Sequence, residues 1–185
     1  MSKMVLTKFE VAERQLLQAI HMYFKNEDEI SIHTLSESAS QVLRDIGKKF
    51  EAVSLLRDSN LIRKDKKKEW FKIINQSKNF FKHADNDAES THEFDPIIND
   101  FSLFDGVSLY QQIKKKHAPE TIVFQTWFNI KYPDLLKENS DYKKRLTMNI
   151  EKWLIFEEID KNKMLMVIND IRKNQIEGLS YNYGL

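Results

Sequence analysis

The stretch Met4–Lys25, "MVLTKFEVAERQLLQAIHMYFK", decides the fold. Val5, Phe9, Ala12, Leu16, Ile20 and Tyr23 recur every three or four residues, so a helix gathers them into one apolar stripe. Leu17 and Phe24 widen that stripe beyond the narrow seam of a two-helix contact. A helix with so broad an apolar face needs several partners, and the rest of the chain supplies them.

The same period returns downstream. In "SIHTLSESASQVLRDIG", Leu35, Ala39, Val42, Leu43 and Ile46 form a core face. Thr34 followed by Glu37 reads as a capping box, and Gly47 stands where a helix ends. Residues 50–62, "FEAVSLLRDSNLI", predict a short helix. From Asp65 to Ala84, Trp70, Ile73, Ile74, Ser77, Phe80, Phe81 and Ala84 share a face. Asp95-Pro96 reads as a cap and first-turn proline for a helix reaching Ile113, with an interruption at Asp105-Gly106. Pro119 opens a helix that Tyr132-Pro133 closes. Tyr142–Glu157 and Lys161–Lys173 carry two further helical patterns, and the tail after them has no period.

No pair of strand patterns appears. The expected architecture is therefore all-α: a multi-helix up-and-down bundle over residues 1–117, with helices of 118–185 packed on it as part of the same domain. Four glycines and three prolines among 185 residues agree with a helical chain.

Composition removes several function classes. The absence of cysteine excludes disulfide frameworks, thiolate metal sites and cysteine nucleophiles. A formal charge of +1 gives no molecule-wide attraction to nucleic acid or membrane. Charges interrupt every apolar run near the N-terminus, unlike a secretory signal, and no run approaches membrane-spanning length. The expectation is a cytoplasmic protein with no membrane, DNA or cofactor requirement.

The polar stretch "SKNFFKHADND", residues 77–87, concentrates the candidate chemistry. On a regular helix Ser77 and Phe81 face the core. Lys78 and Lys82 lie on one flank, while Asn79 and His83, one turn apart, lie on the other. Lys78 and His83 stand about 140° apart around the axis. A site using both therefore needs a helix break near Lys82 or a second chain.

This stretch resembles the signature of HEPN proteins, helical bundles that include many metal-independent ribonucleases. Their signature is an arginine, a polar residue and a histidine a few positions on, completed across a symmetric dimer. The resemblance implies Asn79 as the polar residue and His83 as the histidine, with Lys78 in the arginine's place. It implies RNA as a partner and a homodimer as the working form. His83 would act as general base or acid on a ribose 2′-OH, its ordinary pKa being suited to that task. Asn79 would orient the imidazole or the phosphate. Lys78 or Lys82 would offset charge on the phosphate. Lysine lacks the planar fork with which arginine grips phosphate, so the substitution counts against catalysis. The strings "AERQLLQAI", "SIHTLSESA" and "NFFKHAD" are also similar to a family of bacterial helical proteins that carries no activity to transfer.

Other readings run beside this one. His83, Asp85, Asp87 and His92 are imidazole and carboxylate groups that could line a metal-binding loop, but a polar turn contains such residues without binding metal, and no metal is expected. His21 and His33, flanking the first interhelical loop, are surface histidines available for ligand or phosphate contact. "KKKEWFK", residues 66–72, is a solvated helix start. Trp127, Phe128, Trp153 and Phe156 belong to the core or an interface rather than to base stacking. The leading expectation is a homodimeric binding or interaction protein without catalysis; the alternative is a HEPN-like ribonuclease, or an inactive RNA-binding relative.

Overall fold

The structure is a computed structural model and describes residues 3–58, 64–85, 87–135 and 160–173. Among these, six α-helices and three short 3-10 turns occur, with no strand. The helices are α1 (Lys8–Phe24), α2 (Glu29–Gly47), α3 (Lys67–Phe80), α4 (Ile98–Lys114), α5 (Pro119–Lys131) and α6 (Lys161–Lys173). Tyr142–Glu157 and the tail, with Trp153 and Phe156, lie outside the described residues.

Side-chain pairs give the directions. Glu13 meets Tyr110 and Tyr23 meets Asp100, so α1 runs against α4. His33 meets Asn99 and Ser102 meets Glu37, so α2 runs with α4. Lys78 lies by Gln41 while Phe81 packs on His33, so α3 runs against α2. Gln111 meets Gln125, and Phe101 meets Tyr132, so α5 runs against α4. Arg172 meets Glu120 at one end of α5, and Lys161 covers Tyr23 at the other. The six described helices therefore alternate in direction, in an all-helical bundle.

The core gathers Leu16, Ile20, Tyr23 and Phe24 from α1 with Leu103 and Val107 from α4 and Phe124, Trp127 and Phe128 from α5. Aromatic rings supply much of it. Phe104 stacks on Phe128 with centroids 3.9 Å apart, and Tyr23 meets Trp127 edge-on at 5.1 Å. At Gly106 three helices come so close that an added Cβ would lie 2.9 Å from Ser40 Oγ and 3.0 Å from Leu16 Cδ1. Asp105 and Gly106 thus do not interrupt α4. The glycine admits neighbouring backbones, and the buried Asp105 carboxylate accepts from Ser54 Oγ.

The helix ends differ from the expected ones for local reasons. α1 is capped by Thr7, whose hydroxyl and backbone form a capping box with Glu10. α2 starts at Glu29, one turn and more before Thr34, because Asp28 accepts from the Ser31 amide at 2.7 Å. Thr34 is interior and bonds back to the Ile30 carbonyl. Glu37 is buried instead of capping. Gly47 keeps a right-handed backbone and leads into a 3-10 turn, so the left-handed residue is Glu51, at φ 55°. Gly47 is needed for space: a Cβ there would sit 2.9 Å from that of Ala52. Described residues of the 50–62 segment form turns rather than a helix. Asp95 accepts from the Ile97 amide one step before α4, and Pro119 begins α5 as expected.

Candidate functional site

α3 is the least embedded of the first helices. Ile74 is its one buried residue, and Ile73, expected in the core, is exposed. The helix stops at Phe80 because the next ring turns inward. Phe81 packs edge-on against His33 at 5.5 Å and Phe94 at 5.2 Å. The Phe81 amide still bonds to Ser77, and Lys82 and His83 both bond back to the Asn79 carbonyl, closing the end in a tight turn. Ala84 falls outside the helix and is exposed, contrary to the expected core position. The returning chain is fastened by His92, whose Nε2 lies 2.8 Å from Ser77 Oγ and whose ring packs on Phe80.

This turn frames an open groove of about 1150 Å³ along the outer side of α3. Asn75, Gln76, Asn79 and His83 line it, with Phe71, Phe80 and His92 contributing aromatic surface. Asp65, Glu69, Asp85 and Asp87 place carboxylates around it, against Lys68 and Lys72. Lys66 pairs with Glu69 at 2.9 Å, so carboxylates exceed ammonium groups around the groove by one, and its lining offers a polyanion no positive surface.

Asn79 and His83 therefore share one surface, as helical spacing predicts. Lys78 does not join them. Its ammonium lies 3.1 Å from Gln41 Oε1 and 3.9 Å from Glu37 Oε2, on the α2 side. Burial pushes the Lys78 pKa down, as do Arg57, Lys82 and Arg44, against the pull of Glu37. The break after Phe80 occurs near the position that would be needed to unite Lys78 and His83, yet it leaves them on opposite flanks. Lys82 is exposed and near enough to act on Lys78.

The remaining candidates fall elsewhere. His33 is wholly buried, a correction to its expected surface position, because α2 begins earlier and carries it into the bundle. Asn99 gives both its amide hydrogens to Glu29 and presents its oxygen to His33 Nδ1 at 3.0 Å, so Nδ1 donates. His33 Nε2 has no hydrogen-bond partner among the described residues. Burial holds this imidazole below the ordinary histidine range. His21 is not a free surface histidine either: its Nε2 is 2.9 Å from the buried Glu120, which also binds Arg172. Among the described residues no three His, Asp or Glu side chains are grouped to hold a metal, so His83, Asp85, Asp87 and His92 do not form the loop site considered from sequence. Trp127 and Phe128 are core residues.

A buried polar cluster around Glu37 was not visible as a motif. Glu37 binds Arg57 at 2.6 Å and Ser102 at 2.9 Å, and Arg57 also bonds to Asn75 at 2.6 Å. One signal could have found half of it. His33, Glu37, Gln41 and Arg44 recur at helical spacing, a polar line on an otherwise apolar-faced helix. Arg57 lies in irregular chain and carries no periodic signal.

Comparison of the chain with protein-family models, with curated proteins and with solved structures finds no match. No described helix is long and apolar enough to cross a membrane.

Proposed function

We propose that this chain is a non-catalytic binding protein that works as a homodimer, with the α3 groove receiving a basic segment of a protein partner. The observation that carries this reading is the separation of Lys78 from His83. Lys78, the cation in the arginine's place, is half-buried, bonded to Gln41 and 3.9 Å from Glu37 on the side away from His83. The groove itself offers what a peptide requires: amide side chains for its backbone, aromatic surface for its side chains, and carboxylates for its cations. Exposed Ile73 on α3, and exposed Phe50 and Val53, are apolar surface that a second copy would cover.

The ribonuclease reading retains one favouring observation. Asn79 and His83 line the same groove, and the helix ends just before His83, so that a partner chain could bring a cation to them.

One comparison separates the two readings. Lysine- and arginine-rich fluorescent peptides and mixed RNA are each incubated with the wild type and with His83→Ala and Asn79→Ala. Peptide binding weakened by both substitutions, with RNA intact throughout, is the expected result. RNA degraded by the wild type and spared by His83→Ala would overturn it. Light scattering tests the dimer: a monomer across the accessible concentration range removes that part.

A further inference from the structure

We propose that the α2–α3 face opposite the groove is an oxyanion site for a phosphate group, built from Arg44 and Lys78, whose shared acceptor position Gln41 Oε1 now fills. It does not depend on the partner assigned to the groove.

The motivating feature is one neutral oxygen shared by two cations. Gln41 Oε1 accepts from Arg44 Nη2 at 2.5 Å and from Lys78 Nζ at 3.1 Å. An amide oxygen holds only a partial charge, whereas the two donors converging on it carry full ones. Such convergence is the geometry that charge-assisted hydrogen bonds to an oxyanion use.

The surrounding charges leave that demand unmet. Glu37 is the carboxylate behind Lys78, but Arg57 takes it at 2.6 Å, and Lys78 stands off at 3.9 Å. Asp45 is engaged by Lys48 at 2.9 Å and by the Gln41 amide at 3.0 Å. Arg44, Arg57, Lys78 and Lys48 thus face Glu37, Asp45 and Asp105, which acts on Arg57, an excess of one positive charge. Lys82, exposed and near enough to act on Lys78, adds a further cation at the edge. A phosphate dianion matches this excess, and its tetrahedral oxygens accept from a guanidinium and an ammonium together. Rotation of the Gln41 side chain would vacate the shared acceptor position. Gln41, Arg44 and Lys78 are all partly accessible, so entry requires no opening of the core.

Titration of the full chain with inorganic phosphate at low ionic strength tests the site by calorimetry. One phosphate per chain is expected, with Arg44→Gln and Lys78→Gln each weakening it about tenfold or more, as loss of a charged hydrogen bond does. Lys78→Arg retains binding. His83→Ala also retains it, so failure of the groove reading leaves this result intact. Adenosine monophosphate is the second probe: tighter binding than free phosphate assigns the group to a nucleotide, and equal binding assigns it to the free ion. Absence of phosphate binding to the wild type would overturn the proposal, as would equal affinity in Arg44→Gln. If Lys78→Gln does not fold, the partly exposed Arg44→Gln decides.

Discussion

Arg57, from irregular chain, places its guanidinium 2.6 Å from the carboxylate of Glu37, and both side chains are over nine-tenths buried. The pair ties the segment after α2 to the middle of α2 itself, and through Asn75 it extends to α3. Its strength lies in completeness: Ser102 occupies the other Glu37 oxygen.

Removing one member should therefore cost far more than a surface pair would. Glu37→Ala leaves the Arg57 charge buried without its carboxylate, and a loss of about 3–5 kcal/mol is expected. Urea denaturation monitored by circular dichroism measures it. The same change at the exposed pair Lys66–Glu69 should be near neutral.

Gly106→Ala should destabilise the bundle although alanine favours helices. The new methyl meets Ser40 Oγ and Leu16 Cδ1 inside ordinary contact distance, so these two buried side chains must leave their packed positions or their helices must move. About 1–3 kcal/mol is expected from overpacking. Thermal unfolding of the single variant is sufficient, and an unchanged midpoint would contradict the close approach.

Asp28→Ala should lower the melting temperature, because the Ser31 amide loses its side-chain acceptor. Thr34→Ala should leave it nearly unchanged, since Thr34 lies inside α2. The two variants measured together locate the start of the helix.

Stability should fall as the solution is acidified through the ordinary histidine range. Burial lowers the His33 pKa in the folded state, so the unfolded chain binds a proton first. The loss begins near the unfolded value of about 6.5 and levels off below the folded one. His117 is lowered by burial in the same direction. The His33 share is therefore read from the difference between wild type and His33→Gln across pH. An imidazole resonance titrating below the model-peptide range is the direct check.

The sequence was most legible where apolar spacing alone sets structure. Lys161–Lys173 and Pro119–Lys131 lie where their patterns and their proline put them. Asp65–Ala84 was read too long because Phe81 and Ala84 continue the helical period. Phe81 instead finds a better surface in His33 and Phe94, far away in the chain. Thr34 and Glu37 fit a capping box by spacing, but Asp28 captures the helix start and Arg57 captures Glu37. Of the candidate site, helical spacing grouped Asn79 with His83 and set Lys78 apart; Asn79 and His83 do line one groove, but a tight turn after Phe80, not the helix, brings His83 there. Spacing could not show what Lys78 turns toward, because Gln41 and Glu37 belong to another helix.

The packing of α5 has a consequence for handling the protein. Cleavage near His117 would cut the chain just before the helix that supplies Phe124, Trp127 and Phe128 to the core. The first fragment would retain Asp100 without the Lys131 ammonium and the Tyr132 hydroxyl that complete its shell. Limited proteolysis there should yield two pieces that remain together until denaturant is added. Shortened expression clones ending at residue 117 should accumulate as aggregates.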